Sequence, residues 1–370
     1  MATLTQYYPQ SVSHPGTTLS EILLENNMGP KEFAIRTGKP EKTISDVLNG
    51  KSNITSEMAI LFEQVLKIPA HFWVNRQRNY DEYLARIAYQ KTIEEGIEWS
   101  KNFPYAKMAS FGWVEPTLKK EAKVINLFDY FEVSSTKGYY DFYFNQKLLV
   151  NFRISLKNNE NAGAIAAWLR QGEIQAKNLV VGEFNKSKLI KIIPELKEIM
   201  AKQPVDFFSK IQKLCISIGL KVVHTPCLPK APIHGSTRWL GNTPLIQLSG
   251  RFRRNDIFWF TFFHEIGHIL LHGKKYISIE NIEYDGENQA YENEANEFSA
   301  NVLLTKDEET EILKNKPLTE SDVVYYANKF KTHPAVIIGR LQHLKLVPFG
   351  LGNNLCKPIN FNINKKTPCN

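Results

Sequence analysis

FWFTFFHEIGHILLH, residues 258–272, sets two histidines and a glutamate inside one of the most apolar runs of the chain. Ionisable groups among buried neighbours are costly unless something pairs with them. A metal ion is one such partner. His264, Glu265 and His268 form the pattern HExxH. On a helix, a spacing of four residues puts both imidazoles on one face about one turn apart, which suits two positions of a tetrahedral zinc site. Glu265 then lies beside the first ligand, where it can take a proton from water activated by the metal.

HExxH by itself demands a third ligand. His272 is four residues beyond His268, but eight residues from His264, about 12 Å along a helix axis and too far for one ion. It is expected to hydrogen-bond or pack at the helix end. Glu292 is the better candidate, in the helical run ENEANEFSANVLL some two dozen residues on. Asn296 shares its face four positions later and can orient a ligand histidine through the other ring nitrogen. Glu294 is the rival ligand. It lies about 200° round the helix from Glu292, so only one of the two can face the metal. Opposite the attacking water, Arg238 and His234 are candidate contacts to the transition state or substrate.

The remainder of the chain bounds the reading. A length of 370 residues suits two or three domains, and a 43% hydrophobic content can fill their cores. No apolar segment approaches membrane-spanning length, and the first residues lack a basic-then-apolar signal pattern, so a cytoplasmic protein without a membrane partner is expected. Cys215, Cys227, Cys356 and Cys369 are scattered, make no CxxC pair, and read as reduced thiols. The net charge of +8 does not lie in residues 1–90, which hold nine Lys/Arg and nine Asp/Glu. The excess lies further on, in runs such as LKKEAK and GRFRRND.

From Thr17 the pattern is helical, with Thr18 as candidate N-cap and Leu19, Ile22 and Leu23 on one face. KEFAIRT runs to Gly38, EKTISDVLN to Gly50, ITSEMAILFEQVLKI starts at a Thr55 or Ser56 cap, and a further helix carries HFWVNRQRNYDEYLARI. Short helices in this order, with a tight turn between the second and third, match a helix-turn-helix module. Beyond residue 90, INLFDYF and AGAIAAWLRQGEI read as amphipathic helices, while GYYDFYF and LLVNFRIS read as strands. GLKVVHT and PLIQLS also read as strands, with CLPKAPIHG and STRWLGN lying between them.

Two resemblances sharpen these readings. Residues 29–83, with Ala34 and Gly38 at the turn, Thr43-Ile44-Ser45 opening the third helix and Leu48-Asn49-Gly50-Lys51 closing it, resemble the DNA-binding domain of HigA-type antitoxins among the XRE-like repressors. That resemblance implies operator DNA as partner, with Lys42, Thr43, Ser45, Asp46 and Asn49 at the groove and Lys51 and Lys39 on phosphates. Glu41 and Asp46 depart from it, since acidic groups oppose DNA. It also implies a homodimer and brings a cognate toxin into consideration. FTFFHEIGHILLH followed by ENEANEFSANVLL resembles the ImmA/IrrE metallopeptidases, as do residues 235–265 and 323–347. That resemblance implies His264, His268 and Glu292 as zinc ligands, Glu265 as base, Asn296 beside them, and a repressor or antitoxin as protein substrate.

The expected fold is α+β and mostly helical: an N-terminal helix-turn-helix bundle and a zincin-like domain with a small sheet and the HExxH helix. The expected domains are a DNA-binding head at 1–90, a mainly helical middle at 91–205, a gluzincin-like peptidase at 206–350 and a polar tail at 351–370. The function read from this is a zinc endopeptidase fused to a repressor head, acting in transcription regulation. The alternative is a non-enzymatic HigA-like antitoxin or repressor whose zinc site is structural.

Overall fold

The computed structural model describes residues 11–146, 161–275, 278–279, 287–315 and 317–361. The chain divides into two compact units, Met1–Glu95 and Gly96–Asn370. The fold is α+β and mostly helical, with one small sheet.

The first unit holds α1 (Pro15–Glu25), α2 (Pro30–Thr37), α3 (Glu41–Leu48), α4 (Ser56–Leu66) and most of α5 (Ala70–Ser100). α1 starts earlier than the Thr18 cap would place it. Pro15 takes the first turn, His14 Nδ1 accepts from the Gly16 N–H at 2.9 Å, and Thr18 Oγ1 instead accepts from Arg76 at 2.6 Å. α2 ends at Gly38, whose φ of +64° is a left-handed cap that glycine adopts without a Cβ penalty. The turn to α3 follows at once. Thr55 caps α4 by accepting from the Met58 N–H. Leu19, Phe33, Ile44, Val47, Phe62 and Trp73 form the core, with the Phe62 ring 4.9 Å from Phe33 and 5.7 Å from Trp73.

The second unit begins with α6 (Tyr105–Ser110), α7 (Lys120–Phe131) and α8 (Thr136–Tyr140), the last continued by a π-helical segment, Asp141–Gln146. Residues 138–144, read as a strand from their alternating aromatics, are therefore helical. Ser135 caps α8 by accepting from the Gly138 N–H. Tyr139 and Tyr143, one turn apart, both pack on Phe131, so tertiary packing overrides the strand propensity. Residues 148–155, also read as a strand, lie outside the described residues.

Next come α9 (Ala162–Lys177), α10 (Lys186–Lys202), α11 (Phe207–Ile216), β1 (Lys221–His224), β2 (Gly235–Leu240), β3 (Thr243–Leu248) and α12 (Asn255–Leu271). They are followed by β4 (Ser278–Ile279), α13 (Glu287–Leu303), α14 (Lys306–Leu313), α15 (Glu320–Lys329) and α16 (Pro334–His343). The sheet order is β1-β3-β2-β4, with β1 parallel to β3 and β2 antiparallel to both neighbours. GSTRWL, passed over as a strand in the sequence, is the central hairpin partner of β3.

Adjacent strand residues point to opposite faces, and β2 shows which helix covers which face. Thr237 Oγ1 donates to the Glu265 carbonyl of α12, while Arg238 donates to the Leu169 carbonyl of α9. The sheet is thus packed between α12 and α9. Ile246, Trp259, Phe262, Phe263 and Ile266 join Val222, Leu196 and Phe207 in one core. Full burial of such side chains contributes roughly 1.5–3 kcal/mol each, which offsets the cost of seating a polar cluster on the same helix.

Two buried histidines are expected to make this unit acid-sensitive. Burial pushes His224, stacked 3.7 Å from the Phe361 ring, and His333, at the N-cap of α16, down from 6.5 to about 4. The unfolded chain binds these protons first, so their contribution is present above pH 6.5 and lost as pH falls towards 4. A depression of that size corresponds to roughly 3 kcal/mol per group. Thermal unfolding of the second unit is expected to fall steadily from pH 6.5 to 4. His224→Phe, which retains the ring stack, should flatten that slope.

Candidate metal centre

α12 carries the HExxH segment along a face that is buried throughout. His264 and His268 are each 1% exposed and Glu265 is 0% exposed. α13 lies against this face: Ala295 is fully buried, and Ser299 Oγ donates to the Phe260 carbonyl at 2.8 Å. That docking brings Glu292 to the histidines. Its Oε2 is 3.2 Å from His264 Nε2 and its Oε1 is 3.4 Å from His268 Nε2, while the two Nε2 atoms are 2.9 Å apart. One donor atom from each of the three residues lies within 4.8 Å of the others.

This donor set fits a divalent cation such as zinc. His264 Nδ1 bonds Asn296 Oδ1 at 2.9 Å, an acceptor, so that ring nitrogen carries the proton and Nε2 keeps its lone pair. Burial drives the His268 pKa down to about 4, against the opposing pull of the Glu292 carboxylate, so this ring is neutral at pH 7. Burial raises the Glu292 pKa, but the His264 and His268 rings beside it outweigh burial and hold it well below the usual carboxylate range. Two neutral imidazoles facing each other across 2.9 Å, closed by one carboxylate, are a set that a cation relieves.

Of the two acidic rivals, the structure brings Glu292 to the histidine pair. Glu294 points elsewhere, its Oε2 3.0 Å from His272 Nε2. Glu265 projects beside the pair and is backed by β2. A Cβ added to Gly235 would sit 2.5 Å from Thr261 Cγ2 and 2.7 Å from Glu265 Oε1. Only glycine leaves room there. Gly235→Ala is therefore expected to displace the Glu265 carboxylate and lower any Glu265-dependent hydrolysis at least about tenfold. Zinc stoichiometry by metal analysis should stay at the wild-type value, since none of the three donors is touched.

Arg238 is 5% exposed, on the sheet face opposite Thr237, and its guanidinium donates to Glu173, the Leu169 carbonyl and Gln247. It ties β2 and β3 to α9. His234 remains next to the site, one residue before Gly235. Its ring is edge-on to Phe252 at 5.5 Å, and burial lowers its pKa to about 4. Sequence reading passed over Gly235 and Thr237, whose importance depends on strand register and on the helix packed above.

On the other unit, Lys42, Asn49 and Lys51 are exposed on or just beyond α3, and Thr43, Ser45 and Asp46 are half-buried. Asn49 Nδ2 donates to the Ser45 carbonyl at 2.8 Å and so closes the helix. The Asp46 carbonyl accepts from the N–H groups of Lys51 and Ser52. Lys39 is paired with Glu57 at 2.7 Å. Among the described residues no helix is long and apolar enough to cross a membrane. Cys215, Cys227 and Cys356 are free thiols.

Residues 217–342 match the peptidase M78 family, described as the IrrE N-terminal-like domain, and this span contains His264, Glu265, His268, Glu292 and Asn296. The antitoxin HigA of Pseudomonas aeruginosa, solved with the higBA promoter, is 30% identical; the match covers 23% of this chain and 94% of that one, with a TM-score of 0.22. An addiction-module antidote protein of a HigA family from Coxiella burnetii is 28% identical, over 22% of this chain and 91% of that one, TM-score 0.21. A second Pseudomonas aeruginosa protein, solved with its operator DNA, is 27% identical over 22% and 87%, TM-score 0.21. These matches fall on the N-terminal part. No curated protein matches the chain.

Proposed function

We propose that this chain, which belongs by its first quarter to the HigA-type antitoxins, is a zinc-dependent endopeptidase fused to an operator-binding head. The observation that carries the reading is the buried His264–His268–Glu292 cluster with Glu265 on the next position of the same helix. We assign His264, His268 and Glu292 as the ligands. A zinc ion held there would supply Lewis acidity, polarising a peptide carbonyl and making water a nucleophile near neutral pH.

The chain's own residues do the rest. Asn296 fixes the His264 ring so that Nε2 faces inward. Glu265 takes the proton of the attacking water and passes it to the leaving amine, a transfer worth typically 10²- to 10⁴-fold. Gly235 and Thr237 hold that glutamate and its backbone against β2. His234, neutral at pH 7, offers an N–H to the substrate carbonyl side. The substrate is a protein, and a repressor or antitoxin fits a peptidase joined to an antitoxin-like head.

The head, at about residues 1–90, reads operator DNA as a homodimer through α3, with Lys42, Thr43, Ser45, Asp46 and Asn49 towards bases and Lys51 on a phosphate. Lys39 is less free for a phosphate, being paired with Glu57. Lys51→Ala is expected to weaken binding to DNA from upstream of its own coding region uniformly across sequence variants. The slope of log affinity against log salt should fall by about 1, measured by fluorescence anisotropy from 50 to 300 mM salt. An unchanged slope removes Lys51 from the interface.

The peptidase reading is tested by digesting a library of proteome-derived peptides with the purified, zinc-loaded chain. Cleavage that needs both zinc and Glu265 supports it. No cleavage, with zinc bound at one equivalent, leaves a zinc-stabilised antitoxin-like repressor as the function.

A further inference from the structure

His272 and Glu294 are absent from the ligand set, yet both connect to it. His268 Nδ1 lies 2.9 Å from His272 Nδ1, and His272 Nε2 lies 3.0 Å from Glu294 Oε2. The His272 side chain is 3% exposed and Glu294 58% exposed, so the chain of contacts runs from the buried cluster to the surface. The Tyr291 ring packs on His272, centroids 4.6 Å apart. His272 is the C-terminal cap of α12, its N–H donating to the His268 carbonyl, which fixes its backbone one turn below the ligand.

The direction of these bonds follows from a single requirement. If His268 Nε2 offers a lone pair to the metal, its proton is on Nδ1, which must donate. His272 Nδ1 must then accept, so the His272 proton is on Nε2. That N–H donates to Glu294, which as a carboxylate only accepts. All three bonding partners are satisfied in one arrangement. The His264 arm differs: its Nδ1 proton meets the neutral amide oxygen of Asn296.

We propose that His272 and Glu294 form a hydrogen-bonded relay that positions His268 and increases its basicity as a metal ligand, coupling a surface carboxylate to zinc affinity. The proposal rests on reading His264, His268 and Glu292 as a metal site. His272 and Glu294 act through His268 and touch neither metal nor substrate. Charge delivered through an imidazole to a ligand strengthens its donation, and loss of such partners weakens metal binding about 10- to 100-fold.

The test is zinc affinity measured by chelator competition on the full chain. Glu294→Gln, a surface change that leaves the fold intact, should weaken zinc binding about tenfold and His272→Ala about 10- to 100-fold. His272→Gln, whose amide oxygen can accept from His268, should recover part of the loss. In the His272→Ala background Glu294→Gln should have no further effect, because the two act in series. Glu297→Gln, a change at an exposed site on the same helix, should do nothing. Wild-type binding of one zinc with no change in Glu294→Gln, or losses that simply add, overturns the relay. Failure of the wild type to bind zinc at all overturns the metal site itself.

Discussion

Glu265→Gln is expected to lower peptide-bond cleavage by about 10²- to 10⁴-fold while zinc content, unfolding temperature and DNA affinity stay at wild-type values. The substitution is nearly isosteric, and Glu265 is outside the group of donors formed by His264, His268 and Glu292. What it removes is the ability to accept a proton. Burying an amide there costs no more than burying a carboxylate, since a neutral group carries the smaller desolvation penalty. A structural zinc site would be indifferent to this change, so it separates an enzyme from a zinc-stabilised repressor. Measuring cleavage rate and zinc content on the same preparation makes the comparison direct.

The second large effect concerns the ligands. His264→Ala, His268→Ala and Glu292→Ala should each abolish tight zinc binding, and with it the stabilisation that zinc gives the second unit. A ligand that binds only the folded state at 1,000 times its dissociation constant stabilises by about 4.1 kcal/mol. Wild type should therefore melt at a temperature that rises with added zinc and falls on chelation, whereas the three variants should melt at a temperature insensitive to either. Glu292→Ala is the most informative, because it leaves both histidines on α12 and removes the group supplied by α13. Glu294→Ala should keep the zinc-dependent shift. A Glu294→Ala chain that loses the shift entirely while Glu292→Ala retains it would reverse the assignment.

The HExxH helix and the helix-turn-helix order were legible because each depends on local spacing. His264 and His268 share a face by helix periodicity alone, and Gly38 marks the turn before α3 through its backbone conformation. Glu292 was favoured over Glu294 in the sequence, but the choice could not be closed there. Both lie on one helix, and only the docking of α13 on α12 decides which reaches the histidines. The place of Arg238 was not legible for a related reason: strand register puts it on the α9 face, a fact that the β2–β3 pairing sets and the residue itself does not reveal. The aromatics of 138–144 alternate like a strand yet form helix, since the Tyr139–Tyr143 spacing lets both rings meet Phe131. GSTRWL carries a glycine, a serine and an arginine, so its burial in the sheet depends on partners distant in sequence.

The central claim, that the buried cluster hydrolyses a protein substrate, is tested most directly by comparing peptide N-termini in cells expressing wild type or Glu265→Gln. Mass spectrometry would list termini that arise only with the wild type. The account predicts a short list confined to one or a few proteins, with a repressor or antitoxin among them. An empty list under several stress conditions, with zinc shown to be bound, would contradict it.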